Sequence, residues 1–263
     1  MSAPCLVIKV GGSVVGALAP AWWDDAAAVA ATHKVIFVHG WSAPLRALQA
    51  GTGRDPVMLV NQHGHRSRFT DARVLDDIRV TSATLRAYIQ QQLAQRGVSA
   101  VSVDGAAAGL LVADVRLQRW WVGGRLEFLD NLVGPVRDVD TDRIHDLLRD
   151  ADALVVTPLA TSSAHPAVNT DADRAAAMIS TAVAASGLVI VTDVPGVQVD
   201  GETVAELSHG DLPSLARVVT GGMKKKVNAA LAALGGKTRL AVIGRALVSE
   251  LLSGRAGTRV QRP

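Results

Sequence analysis

Short apolar, β-branched runs recur along this chain, and Ala- and Leu-rich stretches of helical length lie between them. The runs are Cys5–Val10, Val35–Val38, Val98–Val103, Leu154–Thr157, Leu188–Thr192 and Leu240–Ile243. Several are almost uninterrupted in apolar residues, as parallel strands covered on both faces must be. The intervening stretches Asp24–Thr32, Leu45–Ala50, Asp71–Gln95, Thr141–Asp150, Asp171–Ala185 and Met223–Leu234 read as helices. This alternation predicts an α/β fold with three layers, helices on both faces of a mostly parallel sheet. One antiparallel interruption is expected. Leu117–Val122 and Leu126–Leu129 flank Gly123-Gly124, a pair suited to the positive φ angles of a tight hairpin turn.

A chain of 263 residues, 49% hydrophobic and 19% charged, has material for one large domain, which excludes disorder. No apolar run approaches the roughly 20 residues that span a bilayer, so no membrane association is expected. Lys9 and the glycines after it interrupt the only candidate leader, and a secreted protein is not expected. The single cysteine, Cys5, reads as a small buried hydrophobe in a reducing cytoplasm. A net charge of +3 is too small to imply nucleic-acid binding. The Ser-, Thr- and Pro-rich stretch Ala160–Ala167 divides an N-terminal lobe, about residues 1–160, from a C-terminal lobe, 161–263. The tail Ser253–Pro263 reads as a strand or a frayed end.

Six segments have the residue types for chemistry. The first strand ends in Lys9-Val10-Gly11-Gly12-Ser13, where glycines let backbone N–H groups approach a phosphate. The spacing is neither a dinucleotide fingerprint nor a Walker A loop. Lys9 needs an anionic partner or an edge position from which to reach water. The second strand runs into His39-Gly40-Trp41-Ser42, a ligand-side turn or a plain one. Arg66 and Arg68 precede the helix start Thr70-Asp71, as a carboxylate clamp or as solvated surface. His63 and His65 lack the further ligands zinc requires, so no metal site is expected. In Asn169-Thr170-Asp171-Ala172-Asp173 an aspartate either caps the helix or turns toward a lysine or a magnesium nucleotide. Thr192-Asp193-Val194-Pro195-Gly196 ends another strand. Gly222-Met223-Lys224-Lys225-Lys226 sets three lysines at a helix start, against the macrodipole, which hints at a polyanion there. Gly-rich strand ends, two separated lysines and a central aspartate suffice for phosphoryl transfer, which is mostly positioning and charge neutralisation.

This ordered set resembles the amino acid kinase family, in particular its acetylglutamate kinase branch, over nearly the whole chain. The resemblance implies an αβα sandwich around about eight strands, ATP with Mg²⁺, and a homodimer. It implies that Lys9 and Lys226 stabilise the transferred phosphoryl group while Asp173 holds both. Gly11, Gly12, Thr192, Asp193, Val194, Pro195, Gly196, Gly222, Met223 and Lys224 would form the ATP site. Gly40, Trp41, Ser42, Arg68 and Asn169 would bind the acceptor. Ser67-Arg68-Phe69-Thr70-Asp71, preceded by Arg66, and Met223-Lys224-Lys225-Lys226-Val227 look most like kinases of carrier-bound aminoadipate or glutamate. The acceptor there is joined to an acidic amino-group carrier protein. A kinase of free N-acetylglutamate and a non-catalytic regulator are the alternatives. Trp41 departs from the family's glycine at that place. It either reshapes the acceptor pocket or turns outward into an interface.

Overall fold

The computed structural model describes residues 3–64, 66–115, 118–215 and 219–262. His65 and Leu117, part of the metal and hairpin readings above, lie outside the described residues.

Eight strands build the central sheet: Cys5–Val10 (β1), Lys34–His39 (β2), Ala100–Asp104 (β3), Ala153–Thr157 (β4), Gly187–Val191 (β5), Glu206–Leu207 (β6), Ala241–Gly244 (β7) and Thr258–Val260 (β8). Their order across the sheet is β6-β8-β7-β5-β1-β2-β4-β3, and every pairing is parallel except β7 with β8. The tail therefore enters the sheet as β8. Around the sheet lie the helices Pro20–Ala30 (α1), Ser42–Gly51 (α2), Ala72–Ala94 (α3), Thr141–Leu147 (α4), Ala172–Ala182 (α5), Gly221–Gly235 (α6) and Val248–Ser253 (α7). Among the described residues, no helix is long and apolar enough to cross a membrane.

Alternation along each strand divides the core in two. Val7 of β1, Ile36 and Val38 of β2 and Leu188 and Ile190 of β5 pack with α4, α5 and α6. Leu6, Ile8 and Val10, with Val35 and Phe37, pack against α1, α2, α3 and α7. Helices α5 and α6 pack together, and Ala175 and Ala176 of the first and Ala229, Ala230 and Ala233 of the second are buried in this half of the core. Trp22 and Trp23 of α1 fill the opposite layer with their rings edge to face, centroids 4.9 Å apart.

The Gly-Gly hairpin forms between Arg119–Val122 and Arg125–Phe128, with Gly123 at φ 54° and Gly124 at φ 81°. It lies outside the central sheet. Cys5 is half-buried at the start of β1 rather than fully enclosed, and burial pushes its thiol up to about 12. Helix α1 begins at Pro20, ahead of the predicted Asp24, because proline's fixed φ suits a first helical position. Helix α5 stops at Ala182, short of the predicted Ala185, and Ala184 takes φ 48°.

Candidate active site

β1 runs through the middle of the sheet, so the edge position that would let Lys9 reach water does not exist. Lys9 shares its face of β1 with Val7, the face covered by α5 and α6. Its residue is 5% exposed, and Nζ stands 2.8 Å from Oδ1 of Asp173 on α5. Oδ2 of the same carboxylate takes Lys226 Nζ of α6 at 3.3 Å. Burial alone would raise the Asp173 carboxyl, but the two ammonium groups outweigh it and hold the carboxyl below the ordinary range. One carboxylate thus fixes two cations from different elements and leaves the trio with one net positive charge.

Both readings of the aspartate pair hold, each for a different residue. Asp171 caps α5, with Oδ1 accepting from the N–H groups of Asp173 at 3.0 Å and Arg174 at 3.2 Å. Its Oδ2 also meets Lys225 Nζ at 3.3 Å. Asp173 is the residue that faces the lysines.

The helix bearing Lys226 starts with exposed glycines. Its N-cap, Thr220, makes no side-chain cap, and no atom lies within 4 Å of where a Gly222 Cβ would stand. Open N–H groups at a helix start beside lysines fit a phosphate chain. Met223 is half-buried and Lys224 exposed. At the end of β5, Thr192 is buried and donates its hydroxyl to Asp193 Oδ1 at 3.1 Å. Asp193 and Pro195 are exposed, Val194 is half-buried and Gly196 is buried. A Cβ on Gly196 would meet Thr258 Oγ1 at 2.6 Å. That hydroxyl accepts from Val197 N–H at 2.8 Å and donates to the Val204 carbonyl at 2.6 Å, so β8 anchors this turn.

Gly12 and Gly40 touch backbone to backbone. A Cβ on Gly12 would stand 2.8 Å from the Gly40 carbonyl and the Trp41 nitrogen, and one on Gly40 would stand 2.9 Å from the Gly12 nitrogen. Gly11 N–H donates to the Val191 carbonyl at 3.1 Å and Gly40 N–H to the Val10 carbonyl at 2.8 Å, which aligns the ends of β5, β1 and β2. Trp41 has φ −134°, a backbone any residue adopts, so glycine's freedom is not needed there. Its ring turns inward, 7% exposed, packed in the layer with Leu45, and its indole N–H is buried without a partner. The outward, interface reading of Trp41 is therefore wrong for this structure. Ser42 opens α2 and is exposed.

Arg68 lies on the strand Arg66–Arg68 and donates from Nη1 to Gln49 Oε1 of α2 at 2.6 Å. Burial, then repulsion from Arg46, pushes its guanidinium below its usual value, so an anion bound there would be doubly favoured. Arg68 and Asn169 are joined through a residue that sequence reasoning read only as part of a helix start. The Thr70 hydroxyl donates to the Arg68 carbonyl at 3.2 Å and accepts from Asn169 Nδ2 at 3.2 Å, while Thr70 N–H donates to Asn131 Oδ1 at 2.9 Å. Asn169 Oδ1 and Asn131 Nδ2 are buried with no partner. An unfilled acceptor and an unfilled donor beside an arginine match an amide and a carboxylate.

Sequence reasoning also missed Gln49, Asn131 and Arg86. Arg86 of α3 donates to Thr157 Oγ1 at 2.5 Å, and His39 Nε2 lies 3.0 Å from the same oxygen. Burial, with Arg86 and Lys9 adding to it against an opposing Gly40 backbone contact, lowers His39 to about 4. The imidazole is neutral near pH 7. No local pattern marks Gln49, Asn131 or Arg86, because their contacts join segments apart in sequence.

Known proteins fit this geometry. The sequence profile described as the amino acid kinase family matches residues 4–244. A Saccharolobus islandicus protein named LysW-aminoadipate/LysW-glutamate kinase is 31% identical over 244 residues, 91% of each chain. A Cenarchaeum symbiosum relative, provisionally given the same name, shows the same identity, length and coverage. In structure, N-acetylglutamate synthase from Neisseria gonorrhoeae superposes with a TM-score of 0.80 at 24% identity. That match covers 99% of this chain but only 60% of the synthase, and at this identity it shows the fold alone. The profile match, the two relatives and the shared sandwich agree: the chain belongs to the amino acid kinase family.

Proposed function

We propose that this protein uses ATP to phosphorylate the side-chain carboxylate of an aminoadipate- or glutamate-type residue held on an acidic amino-group carrier protein. The observation that carries the phosphoryl-transfer part is the buried Lys9–Asp173–Lys226 trio at the ends of the Gly-rich turns. The names of the relatives support the carrier-bound acceptor.

ATP, with Mg²⁺ accompanying its phosphates, supplies the phosphoryl group. The open start of α6, Gly11, Gly12, the turn Thr192–Gly196 and Met223 would hold the nucleotide. A carboxylate oxygen of the acceptor forms the new P–O bond, the bond between the γ-phosphorus and the β,γ-bridging oxygen breaks, and ADP leaves with an acyl phosphate as product. The nucleophile is already ionised, so no proton has to be removed. A buried neutral His39 is compatible with that, since no general base is required. Lys9 and Lys226 neutralise charge spreading over the transferred group, and Asp173 keeps both in place beforehand. Arg68 and Asn169 position the acceptor, and the Gly40-Trp41-Ser42 turn offers backbone N–H groups near its carboxylate.

On this reading residues 1–160 are the acceptor lobe and 161–263 the nucleotide lobe. The working form is a homodimer, testable by sedimentation, in the cytoplasm, where ATP is replenished. The mildly basic chain suits an acidic carrier. The deciding experiment is ADP release from Mg-ATP with carrier-bound aminoadipate or glutamate, against free N-acetylglutamate. ADP formed only with the carrier-bound acceptor is the expected result. ADP formed with the free compound would make this an acetylglutamate kinase, and nucleotide binding without ADP from either would make it a regulator.

A further inference from the structure

Two antiparallel ribbons stand outside the central sheet, Met58–Val60 with Arg66–Arg68 and Arg119–Val122 with Arg125–Phe128. They meet edge to edge. Asn61 bridges Trp120, and Gln62 N–H donates to the Arg119 carbonyl at 3.0 Å. Residues paired across antiparallel strands share a face, and alternate residues along a strand share one too. The registers Met58↔Arg68, Val60↔Arg66, Arg119↔Phe128 and Trp121↔Leu126 therefore set eight side chains on one side. The Asn61–Trp120 bridge puts Leu59, Asn61 and Trp120, all buried, on the other.

The outer side has an unusual composition. Met58, Val60, Trp121, Leu126 and Phe128 are five of the seven large apolar side chains exposed among the described residues. A sixth, Val57, immediately precedes the strand. Apolar surface gathered this way marks a surface that meets a partner. The other three residues on that side are Arg66, Arg68 and Arg119, and none of the eight is acidic. The Arg119 guanidinium sits 4.9 Å from the centre of the Phe128 ring, which holds the charge against the apolar patch. Glu127 belongs to the opposite side, with Trp120.

We infer that this ribbon face is the docking surface for the acidic carrier protein, an inference that rests on the carrier-bound reading above. Charge chooses the occupant. Arg66 and Arg119, both exposed with no carboxylate on this side, complement an acidic protein, whereas a second copy of this face would set arginine against arginine. Continuity supports it as well, because Arg68, proposed to grip the acceptor, ends a strand of the same sheet. A carrier seated on the ribbons delivers its tethered side chain to the clamp. The apolar residues supply contact area and the arginines supply steering and register.

The test uses the full-length enzyme and two acceptors, aminoadipate on the intact acidic carrier and aminoadipate on a short peptide copying the carrier's last residues. The variants are Trp121→Ser/Phe128→Ser and Arg119→Glu, all at exposed positions away from the phosphoryl site. The expected result is a KM for the intact carrier raised at least about tenfold, the scale of losing an aromatic anchor. The KM for the peptide and the kcat for both acceptors stay unchanged, and added salt weakens only the carrier reaction. An unchanged carrier KM, or equal losses with both acceptors, overturns the docking surface. A shift from dimer to monomer in sedimentation also overturns it and assigns the face to a second copy. A wild-type enzyme inactive on the intact carrier overturns the carrier reading itself, and that measurement precedes every variant.

Discussion

Lys9 occupies a place where an unpaired ammonium group would be very costly, in a central strand with helices over it. Asp173 offsets that cost and in turn depends on Lys226. Lys9→Ala or Lys226→Ala is expected to lower kcat at least ~10²-fold, the scale of removing one preorganised charge stabiliser. Steady-state ADP release checks this, and near wild-type turnover in either variant would remove these lysines from the mechanism. Arg68→Ala is expected to act differently, raising the acceptor KM with little change in kcat, because its contact is made already in the ground state. His39 gives a pH signature. Its folded value near 4 lies below the ordinary 6.5, so the neutral ring favours the fold. That stability is full above pH 6.5 and drains as pH falls toward 4, by up to about 1.4 kcal/mol per pH unit. Urea titrations of wild type and His39→Gln at pH 7 and 4.5 should show the acid loss reduced in the variant. At this scale residue patterns reveal oddities but not partners, and only the family resemblance linked Asp173 to the lysines. A lysine among Leu, Val and Ile is conspicuous, whereas its carboxylate comes from a helix much later in the chain. The Gln49, Thr157 and Asn131 contacts depend wholly on tertiary placement.

Among elements, the turns after β1 and β2 have the least room for change. Gly12→Ala would drive a methyl group to 2.8 Å from main-chain atoms of Gly40 and Trp41, with no flexible side-chain end to yield. The expected cost is about 1–3 kcal/mol, as for other overpacked sites, with a loss of turnover at the same time. Urea midpoints and kcat measured on one preparation check both. Gly222→Ala has open space around it and should fold normally, which makes it a control for the urea midpoint alone. The six strands read as continuous apolar runs were legible to within a residue or two, whereas the two-residue β6, Glu206–Leu207, has no such run and was missed. Helix ends were less so. The Ala-rich part of α1 concealed a start set by Pro20, and the end of α5 was decided by the chain's turn at Ala184. The Gly-Gly hairpin was visible as a turn, but its meeting with the Met58–Val60 ribbon was not, since a bridge between segments this distant leaves no local pattern.

In the whole molecule, the two faces of the sheet carry different sets of polar side chains. One face, under α5 and α6, holds the charged trio. The other, under α2 and α3, holds Trp41, His39 and Arg86 behind the proposed acceptor turn. Periodicity announced the three layers, yet strand order is a matter of long-range pairing, and only the family resemblance pointed to it. Gly12 and Gly40 meet in one direct backbone contact, the first on the proposed phosphate side and the second on the proposed acceptor side. With no side chain between them to absorb a displacement, ordering either turn orders the other. The two ligands should then bind with positive cooperativity, and linkage makes the effect reciprocal. Calorimetry with a non-hydrolysable ATP analogue should show each ligand tightening the other by the same factor, roughly 5- to 150-fold for a typical coupling. Independent affinities would mean that the glycine contact transmits nothing. The enzyme would otherwise hold ATP weakly until its acceptor arrives, which protects the nucleotide from futile hydrolysis.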